Sequence, residues 1–343
     1  MTMDRPETLL VGDVGGTNAR FALASIDAAG AVTLDHVHPL PTRDHATFED
    51  ALAAWESQVP GPLPDRAVFA LAGPSGADTI RMTNVAWTVS ARALQDRFGF
   101  AAVRLVNDFA AQARAMPVLP DAAFSAVIAG SGRPGAPVIV LGPGTGLGMS
   151  LLVPRGIGGW QVVPTEGGHQ AFAPLDPSEQ AVLDRLRGEG GVDYVSFETL
   201  VSGPGLARIY WALCREAGVA PALFERFGSS DLTALSANDL KAAGGLVGAA
   251  AEGRTDPVAV QAAELMVMAL ATFAGDAILS TGAQGGCVIA GGVADKQADL
   301  ILTDAFRTRL TRKGPISAFF EGVPVKLARD TFAALVGAAL MGD

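Results

Sequence analysis

Two glycine-rich segments constrain this chain most strongly, because each follows a short apolar run and both have the same construction. Residues 12–18 read Gly-Asp-Val-Gly-Gly-Thr-Asn, and residues 142–148 read Gly-Pro-Gly-Thr-Gly-Leu-Gly. Glycine has no Cβ and tolerates positive φ, so successive backbone N–H groups can approach one anion closely. The threonine hydroxyl in each segment adds a donor. This duplication predicts a phosphate group that is bound from two sides.

The positions of the lysines exclude two common ways of binding a nucleotide. Lysine occurs at Lys241, Lys296, Lys313 and Lys326, and none of these residues follows a glycine. The Walker-type loop requires Gly-Lys-Ser/Thr, and the protein-kinase fold requires a lysine on an early strand. We therefore expect a nucleotide to be held by backbone amides, hydroxyl groups and a divalent cation such as Mg²⁺.

The length and composition predict a globular protein with two domains. The chain has 343 residues, of which 49% are hydrophobic and 17% charged, which is enough apolar material for a substantial interior. The formal charge of -10 argues against nucleic acid or an anionic membrane as a partner. Cys214 and Cys287 are far apart and lack a CxxC spacing, so we expect reduced thiols. The start of the chain carries charges of both signs without an apolar signal core, which favours the cytoplasm.

Short apolar runs interleaved with helical patterns predict a mixed α/β fold. Residues 8–11 and 19–25 predict a hairpin around the first glycine segment, and the same pattern recurs in the second half. A capping residue followed by proline, or by an acid three positions on, predicts helix starts at Asp176, Ser236 and Asp256. Further strands are predicted at residues 68–71, 104–106, 126–128, 138–141, 149–153 and 288–290.

Prolines indicate where the two halves of the chain meet. Pro117, Pro120 and the segment 130–137 suggest a crossover near residue 117. The last helix, roughly residues 330–341, is apolar on one side, and we expect it to return to the first domain. The predicted organisation is a small α/β domain of residues 1–117 plus 330–343 and a large α/β domain of residues 118–329.

An acid and an amide follow the apolar strand that ends near Val106. Asn107 and Asp108 therefore lie at the edge where ligands bind in α/β sheets. Taken alone, Asp108 is better interpreted as a cap for a helix over residues 109–116. Beside two phosphate loops, an ionised Asp108 can instead accept a proton from an alcohol and orient its oxygen for in-line attack on a γ-phosphoryl group.

Two further segments carry polar groups suited to a small polyol. Glu166 and His169 are three residues apart across two glycines, and Glu198 lies just before the Ser-Gly-Pro-Gly segment at residues 202–205. Such donors and acceptors discriminate sugar hydroxyls well, because a missing hydroxyl leaves them unpaired. A surface salt bridge at Glu166 and His169, a helix-start acid at Glu198, and a metal site at Glu166 and His169 remain alternatives.

These segments, in this order, resemble those of the bacterial glucokinase family, a branch of the superfamily of sugar kinases, actin and heat-shock chaperone ATPases. The resemblance covers nearly the whole chain. Residues 10–20 look like the first phosphate motif of the family, residues 142–148 like the second, and residues 290–292 like its adenosine motif. The resemblance implies a two-domain, ribonuclease-H-like (actin-like ATPase) fold with the ligand cleft between the domains.

The resemblance also implies roles for individual residues. Asp108 would be the catalytic base, and Asp13 would contact Mg²⁺ through water. Residues expected to bind sugar hydroxyls are Asn107, Glu166, His169, Glu198 and, by likeness of the segment 82–84, Asn84. Residues expected to bind the nucleotide are Asp13, Gly15, Gly16, Thr17, Asn18, Gly144, Thr145, Gly146, Gly291 and Gly292.

The expected function is ATP-dependent phosphorylation of glucose at its 6-hydroxyl, with ATP and Mg²⁺ required and with a homodimer in the cytoplasm. A kinase for another hexose, such as fructose, mannose or an amino sugar, is the alternative within enzymes. A regulator that binds ATP and hexose without phosphoryl transfer is the alternative from another class. The zinc-binding Cys/His signature of the related repressor and kinase group is missing, which disfavours that branch.

Overall fold

A computed structural model describes residues 7–28, 30–73, 78–82, 85–156 and 159–342. Asn84, which is expected to contact the sugar, lies outside these described residues. Within them the strands are β1 Glu7–Val14, β2 Asn18–Ile26, β3 Val32–Pro41, β4 Arg66–Leu71, β5 Thr79–Arg81, β6 Thr88–Ser90, β7 Ala102–Asn107, β8 Phe124–Ile128, β9 Val138–Pro143, β10 Leu147–Arg155, β11 Gly159–Thr165, β12 Gly286–Ile289 and β13 Val325–Ala328.

The α-helices are concentrated in the second half of the chain. They are α1 Phe48–Glu56, α2 Ala91–Phe98, α3 Asp108–Ala115, α4 Pro177–Gly188, α5 Phe197–Leu200, α6 Gly203–Glu216, α7 Ala237–Glu252, α8 Pro257–Thr281, α9 Gly292–Lys296, α10 Ala298–Ile301, α11 Asp304–Thr311 and α12 Ala333–Ala339.

Two mixed sheets share one strand plan. The first has the order β3-β2-β1-β4-β7 and the second the order β11-β10-β9-β12-β13-β8. In each sheet an antiparallel hairpin, β1–β2 or β9–β10, is followed by a parallel neighbour, β4 or β12. This repetition confirms the mixed α/β fold and the hairpin that was predicted around each glycine segment.

Local capping chemistry sets the starts of three helices, as predicted. Asp176 accepts backbone hydrogen bonds at the start of α4, and Asp256 does the same for α8, with proline following in both cases. Ser236 and Asp239 form a reciprocal capping box at the start of α7. These contacts satisfy N–H groups that lack a partner within the helix.

The chain divides into two compact units. Unit 1 contains Met1–Ala123, Arg155–Pro164 and Asp330–Asp343, and unit 2 contains Phe124–Pro154 and Thr165–Arg329. Residues 330–343 group with the N-terminal part, as in the expected domains. The units differ from the expected domains in two places. The first boundary follows Ala123 rather than residue 117, and the segment Arg155–Pro164 groups with unit 1.

Unit 1 has apolar packing on both faces of its sheet. On one face, Phe48 packs edge to face against Phe21 and Phe69, with ring centroids 5.6 and 5.0 Å apart. On the other face, Leu335 and Ala338 of α12 are buried with residues of β1 and β4. Since α12 lies against the same sheet that carries β7, the end of the chain helps to fix the position of α3.

Helix α8 forms the centre of unit 2. By length and composition it is the one helix among the described residues that could cross a membrane, but 72% of its most apolar 18-residue window is buried inside the protein. It packs against α6, α7 and α11. The structure therefore accounts for its apolar surface by burial in the core of unit 2.

Candidate active site

The glycine turn of unit 1 joins β1 to β2. The Gly15 N–H donates to the Asn18 carbonyl at 3.0 Å, and the Gly16 carbonyl accepts from Thr42 Oγ1 at 3.1 Å. Thr17 and Asn18 are exposed at the tip. The Gly15 amide therefore closes the turn itself. Among the described residues the Gly16 N–H has no protein acceptor, so it is a donor that can face a ligand.

Asp13 is paired with Arg20 across the β1–β2 hairpin. The two residues are directly opposite in the strand register, and Arg20 Nη1 donates to Asp13 Oδ2 at 3.0 Å. The side chains of Asp13 and Arg20 are 18% and 33% exposed. Burial raises the pKa of Asp13, while the positive charge of Arg20 acts in the opposite direction. Arg20 thus limits the cost of keeping a carboxylate at this position.

Asn107, rather than Asp108, caps helix α3. Asn107 Oδ1 accepts the Ala110 N–H at 2.9 Å, and Asn107 Nδ2 donates to the Gly73 carbonyl at 2.9 Å. The capping interpretation of Asp108 is therefore wrong, because an amide one residue earlier satisfies the helix start. Both polar atoms of the Asn107 side chain already have protein partners, so any sugar contact would add to these bonds or compete with them.

Asp108 is the first residue of α3 and is partly buried. Its Oδ1 accepts the Phe109 N–H at 2.8 Å. Burial, and after it the negative charge of Asp13, raise the pKa of Asp108 to about 6, although backbone hydrogen bonds act to lower it. A carboxylate with this pKa is still ionised at neutral pH and is a stronger base than an ordinary aspartate.

The glycine turn of unit 2 joins β9 to β10. The Gly144 N–H donates to the Gly146 carbonyl at 2.7 Å, and the Gly146 N–H has no protein acceptor among the described residues. Thr145 is exposed at the tip. As in unit 1, one glycine amide closes the turn, and a neighbouring glycine amide has no protein acceptor in the ranges that the structure describes.

Close backbone packing explains two glycines near this turn. A Cβ on Gly142 would lie 1.9 Å from the Ala290 carbonyl oxygen, and a Cβ on Gly291 would lie 2.7 Å from the Pro143 carbonyl oxygen. Gly291 also has a φ of 93°. By contrast, no atom lies within 4 Å of a Cβ on Gly292. The structure thus brings the second and third glycine segments of the sequence together within unit 2, and it leaves space at Gly292.

Glu166 precedes a short 3-10 turn, Gly167–His169, that lies close against β10. A Cβ on Gly167 would lie 2.4 Å from Met149 Sδ, and one on Gly168 would lie 2.2 Å from the Leu147 carbonyl oxygen. The glycines therefore allow the turn to approach the strand. The side chains of Glu166 and His169 are 86% and 59% exposed.

The imidazole of His169 lies between two carboxylates. His169 Nε2 is 3.8 Å from Glu166 Oε2, and His169 Nδ1 is 3.9 Å from Glu198 Oε1. The Phe197 N–H donates to the Gln170 carbonyl at 2.9 Å, which ties the segment after His169 to the segment before Glu198. The structure therefore brings together three predicted sugar ligands, Glu166, His169 and Glu198, within unit 2.

A cavity of about 280 Å³ opens beside the glycine turn of unit 2. Gly144 and Thr145 line one side of it. The lining residues from α7 could not be connected with a site from the sequence, because α7 carries no motif. Besides Gly144 and Thr145, the lining residues are Gly203, Pro204, Leu206, Lys241, Gly244, Gly245, Gly248, Ala249, Glu252, Val293, Lys296 and Gln297.

Two features of the cavity wall are suited to a ligand. No atom lies within 4 Å of a Cβ on Gly245, and the nearest atom to one on Gly248 is 3.7 Å away, so packing does not require these helical glycines. Gln297 is 9% exposed, and its side-chain amide makes no hydrogen bond within the described part of the chain. A bare helix face beside an unbonded amide fits a flat polar group such as a nucleobase.

The carboxylates of unit 1 fit a magnesium ion that is held mainly by phosphates. In the ranges that the structure describes, no group of three or more His, Cys, Asp or Glu residues could hold a metal ion. Mg²⁺ commonly uses one or two carboxylates together with waters and substrate phosphates. Asp13 and Asp108 supply such oxygens. Burial, and after it the charge of Asp13, raise the pKa of Asp108, and a cation beside the two carboxylates would favour their ionised forms.

The repeated strand plan, the glycine turn in each unit and the acid that follows a parallel strand define the class of sugar kinases and actin-like ATPases. The family model described as Glucokinase matches residues 10–343, which is nearly the whole chain. The chain belongs to the glucokinase family.

Individual relatives agree with this assignment. The chain is 37% identical over 335 residues to the glucokinase of Chromobacterium violaceum, covering 96% of this chain and 88% of that one. It is 35% identical over 337 residues to the glucokinase of Hahella chejuensis, covering 98% and 97%.

Solved structures show the same fold. The crystal structure of glucokinase from an Antarctic psychrotroph is 32% identical, with a TM-score of 0.78 and 98% of both chains covered. A ROK family glucokinase from Streptomyces griseus, crystallised with glucose and AMPPNP, is 20% identical and shares the fold, with a TM-score of 0.61 and coverage of 98% and 99%.

Proposed function

We propose that this protein transfers the γ-phosphoryl group of ATP to the 6-hydroxyl of glucose, giving glucose 6-phosphate and ADP. The observation that carries the proposal is Asp108, a carboxylate released from helix capping by Asn107 and with its pKa raised to about 6. Relatives over nearly the whole chain are named glucokinase. A kinase for another hexose and a non-catalytic regulator are not favoured by these relatives.

In the proposed reaction Asp108 accepts the proton of the sugar hydroxyl. The hydroxyl oxygen attacks the γ-phosphorus, the bond from phosphorus to the bridging oxygen of ADP breaks, and the proton ends on the Asp108 carboxylate. Phosphoryl transfer depends mostly on positioning and charge stabilisation, so the base needs a fixed position more than great strength. Asp108 has that position because it starts a helix whose cap is already satisfied.

Hydrogen bonds to the sugar are assigned to both units. In unit 2, Glu166, His169 and Glu198 form one exposed polar cluster around the imidazole. In unit 1 we assign a sugar contact to Asn107, and we retain Asn84 on the resemblance alone. We propose that these groups act on one glucose molecule, whose hydroxyls fill donors and acceptors that a wrong sugar would leave unpaired.

The nucleotide contacts are proposed to come from the turns and the cavity described above. We assign the phosphates to the Thr17 and Thr145 turns, and the adenosine to the cavity beside Gly245, Gly292 and Gln297. Mg²⁺ would be held near Asp13, where it would neutralise phosphate charge when bound. Lys241 and Lys296 also line the cavity, so the protein brings positive charge to this region although it has no Walker lysine.

The raised pKa of Asp108 predicts the pH dependence of glucose phosphorylation. A general base must be deprotonated, so kcat/KM for glucose should rise about tenfold per pH unit below pH 6 and level off above it. An unperturbed aspartate would place this limb near pH 4. Initial rates between about pH 4.5 and 8, with protein stability checked at each pH, measure this pH dependence. A value of kcat/KM that stays constant down to pH ~5 would contradict the assignment of Asp108 as the general base.

Replacing Asp13 with asparagine tests one of the two causes that raise the pKa of Asp108, the other being burial. Loss of the neighbouring negative charge should lower the pKa of Asp108, because like charges disfavour ionisation. Carbon-13 NMR titration of the aspartate carboxyls in the ligand-free protein reports this change without relying on turnover. Glu56→Gln, which changes a partly buried acid at the end of α1, is the control and should leave the titration of Asp108 unaltered.

Gly245→Ala is expected to stabilise the fold and weaken nucleotide binding. Alanine is favoured over glycine inside a helix by about 0.5–1 kcal/mol, and a methyl here meets no protein atom within 4 Å. The same methyl would occupy space that we assign to adenosine. Thermal unfolding and AMPPNP titration measure the two effects. Gly188→Ala in α4, where the added methyl likewise meets no atom within 4 Å, is the control and should leave AMPPNP affinity unchanged. An unchanged AMPPNP affinity in Gly245→Ala would contradict the adenosine assignment.

The proposed function is tested by a coupled assay with ATP, Mg²⁺ and a panel of glucose, fructose, mannose and glucosamine. We expect the highest kcat/KM for glucose. A higher value for another hexose would support the alternative kinase, and hexose binding without product would support the regulator. The homodimer and the cytoplasmic location stay predictions, of which light scattering during gel filtration tests the first.

A further inference from the structure

The two carboxylate oxygens of Glu198 face different parts of unit 2. Glu198 Oε2 accepts the Leu147 N–H at 2.8 Å, and Leu147 is the residue that follows the Gly144–Gly146 turn. Glu198 Oε1 lies 3.9 Å from His169 Nδ1. The side chain is 32% exposed. One oxygen therefore holds the segment assigned to phosphate, while the other belongs to the cluster assigned to sugar.

The same carboxylate occupies the space where a side chain on Gly146 would lie. A Cβ on Gly146 would lie 2.4 Å from Glu198 Oε2 and 3.1 Å from Glu198 Cδ. The φ of Gly146 is not positive, so the backbone conformation does not require glycine there. The missing side chain instead admits the carboxylate against the turn.

A second contact joins the same two segments. The Gly203 N–H donates to the Gly144 carbonyl at 2.9 Å, and Ser202 Oγ donates to the Glu198 carbonyl at 2.8 Å. The backbone around Glu198 is therefore fixed to the start of α6, and that start is fixed to the turn. Glu198 is therefore the side chain that holds the far end of the turn at Leu147, while backbone bonds hold Gly144.

We propose that Glu198 is a positioning residue for the Gly144–Gly146 turn, and that through it hexose binding is coupled to nucleotide binding. The inference rests on the proposed function, in which this turn binds phosphate. A hydrogen bond from an amide to a charged carboxylate is among the stronger ones in proteins. Its loss should let the turn relax and weaken nucleotide binding even when no sugar is present.

The test compares Glu198→Met with Glu198→Gln in the full chain. Both side chains are close to glutamate in length, but glutamine keeps an oxygen that can accept the Leu147 N–H, whereas methionine has no such acceptor. AMPPNP with Mg²⁺ is titrated calorimetrically into each sugar-free protein. We expect the methionine variant to bind about tenfold more weakly than the parent, and the glutamine variant to bind nearly as tightly as the parent.

Glu166→Gln is the matched control. Glu166 is assigned to the same sugar, but it has no hydrogen bond to the turn within the described residues. Its loss should reduce glucose affinity and leave sugar-free AMPPNP affinity unchanged. Equal AMPPNP affinities in the parent and Glu198→Met would overturn the inference while leaving the proposed function intact. Failure of the parent to bind AMPPNP would contradict the proposed function itself.

A double-mutant cycle tests the packing of Gly146 against Glu198 independently. Gly146→Ala should lower the melting temperature in the parent, where the methyl meets the carboxylate, and should be tolerated better after Glu198→Ala removes it. Additive changes would overturn the link between the two residues. If Glu198→Met does not fold, the same calorimetric titration of AMPPNP into Glu198→Ala replaces it, and an affinity equal to that of the parent would overturn the inference.

Discussion

Replacing Asp108 with alanine should lower kcat for glucose phosphorylation by about 10³-fold and change KM for glucose little. The carboxylate is proposed to act on the proton that leaves during transfer, so its main contribution is made in the transition state. Asp108→Asn should lose a similar factor, because the amide keeps the size of the side chain but is not a base at neutral pH. Steady-state kinetics over glucose and ATP measure both variants.

The fold should survive these changes, and this separates a catalytic role from a structural one. Asn107 supplies the cap of α3 by accepting the Ala110 N–H, so removal of the Asp108 carboxylate takes away only the bond from the Phe109 N–H. Asp35→Ala, an exposed acid on β3 of the same unit, is the control and should retain the parent rate. An Asp108→Ala enzyme that keeps most of its kcat would remove Asp108 from the mechanism.

Gly337→Ala should cause the largest loss of stability among the changes considered. A Cβ at this position would lie 1.6 Å from the carbonyl oxygen of Ala111 and 2.5 Å from its carbonyl carbon. Both partners are backbone atoms of α3, which cannot rotate away as a side chain can. We expect the free energy of unfolding to fall by about 3 kcal/mol, the upper part of the usual range for overpacking.

The effect should extend to activity, because α12 packs on the helix that begins at Asp108. Urea unfolding followed by tryptophan fluorescence measures the loss, with Trp55 and Trp87 both buried in unit 1. Gly188→Ala, where the methyl has open space, is the control for glycine replacement and should not destabilise the protein. A midpoint for Gly337→Ala equal to that of the parent would contradict the close approach of α12 and α3.

Local chemistry made part of this structure predictable from the sequence. The caps at Asp176, Ser236 and Asp256 depend on neighbouring residues alone, and the helices begin where these residues predict. The hairpins around the two glycine segments are local in the same sense. Strands β5, β6, β11 and β13 were missed, since they are short or partly exposed and have weak apolar patterns.

The role of Asp108 shows where sequence reasoning fell short. Asn107 and Asp108 are both good capping residues, and the sequence cannot decide which of them faces the helix N–H groups. The Gly73 carbonyl, which lies far away in sequence, holds the Asn107 amide and thereby assigns the cap. The pKa of Asp108 is likewise raised by burial and, after it, by the charge of Asp13, a residue of another strand.

The glycines of the chain gave the weakest individual predictions. Gly142 and Gly291 avoid backbone atoms, Gly146 admits a carboxylate, and Gly245 and Gly292 face open space. These three situations look alike in a sequence. Only the spatial neighbours distinguish a packing requirement from room that is left for a ligand.

A crystal structure with glucose and AMPPNP tests the central claim most directly. We predict that the glucose 6-hydroxyl oxygen lies within about 3 Å of an Asp108 carboxylate oxygen and in line with the γ-phosphorus of the nucleotide. Glucose bound with its 6-hydroxyl turned away from Asp108, or a γ-phosphate remote from that hydroxyl, would contradict the account.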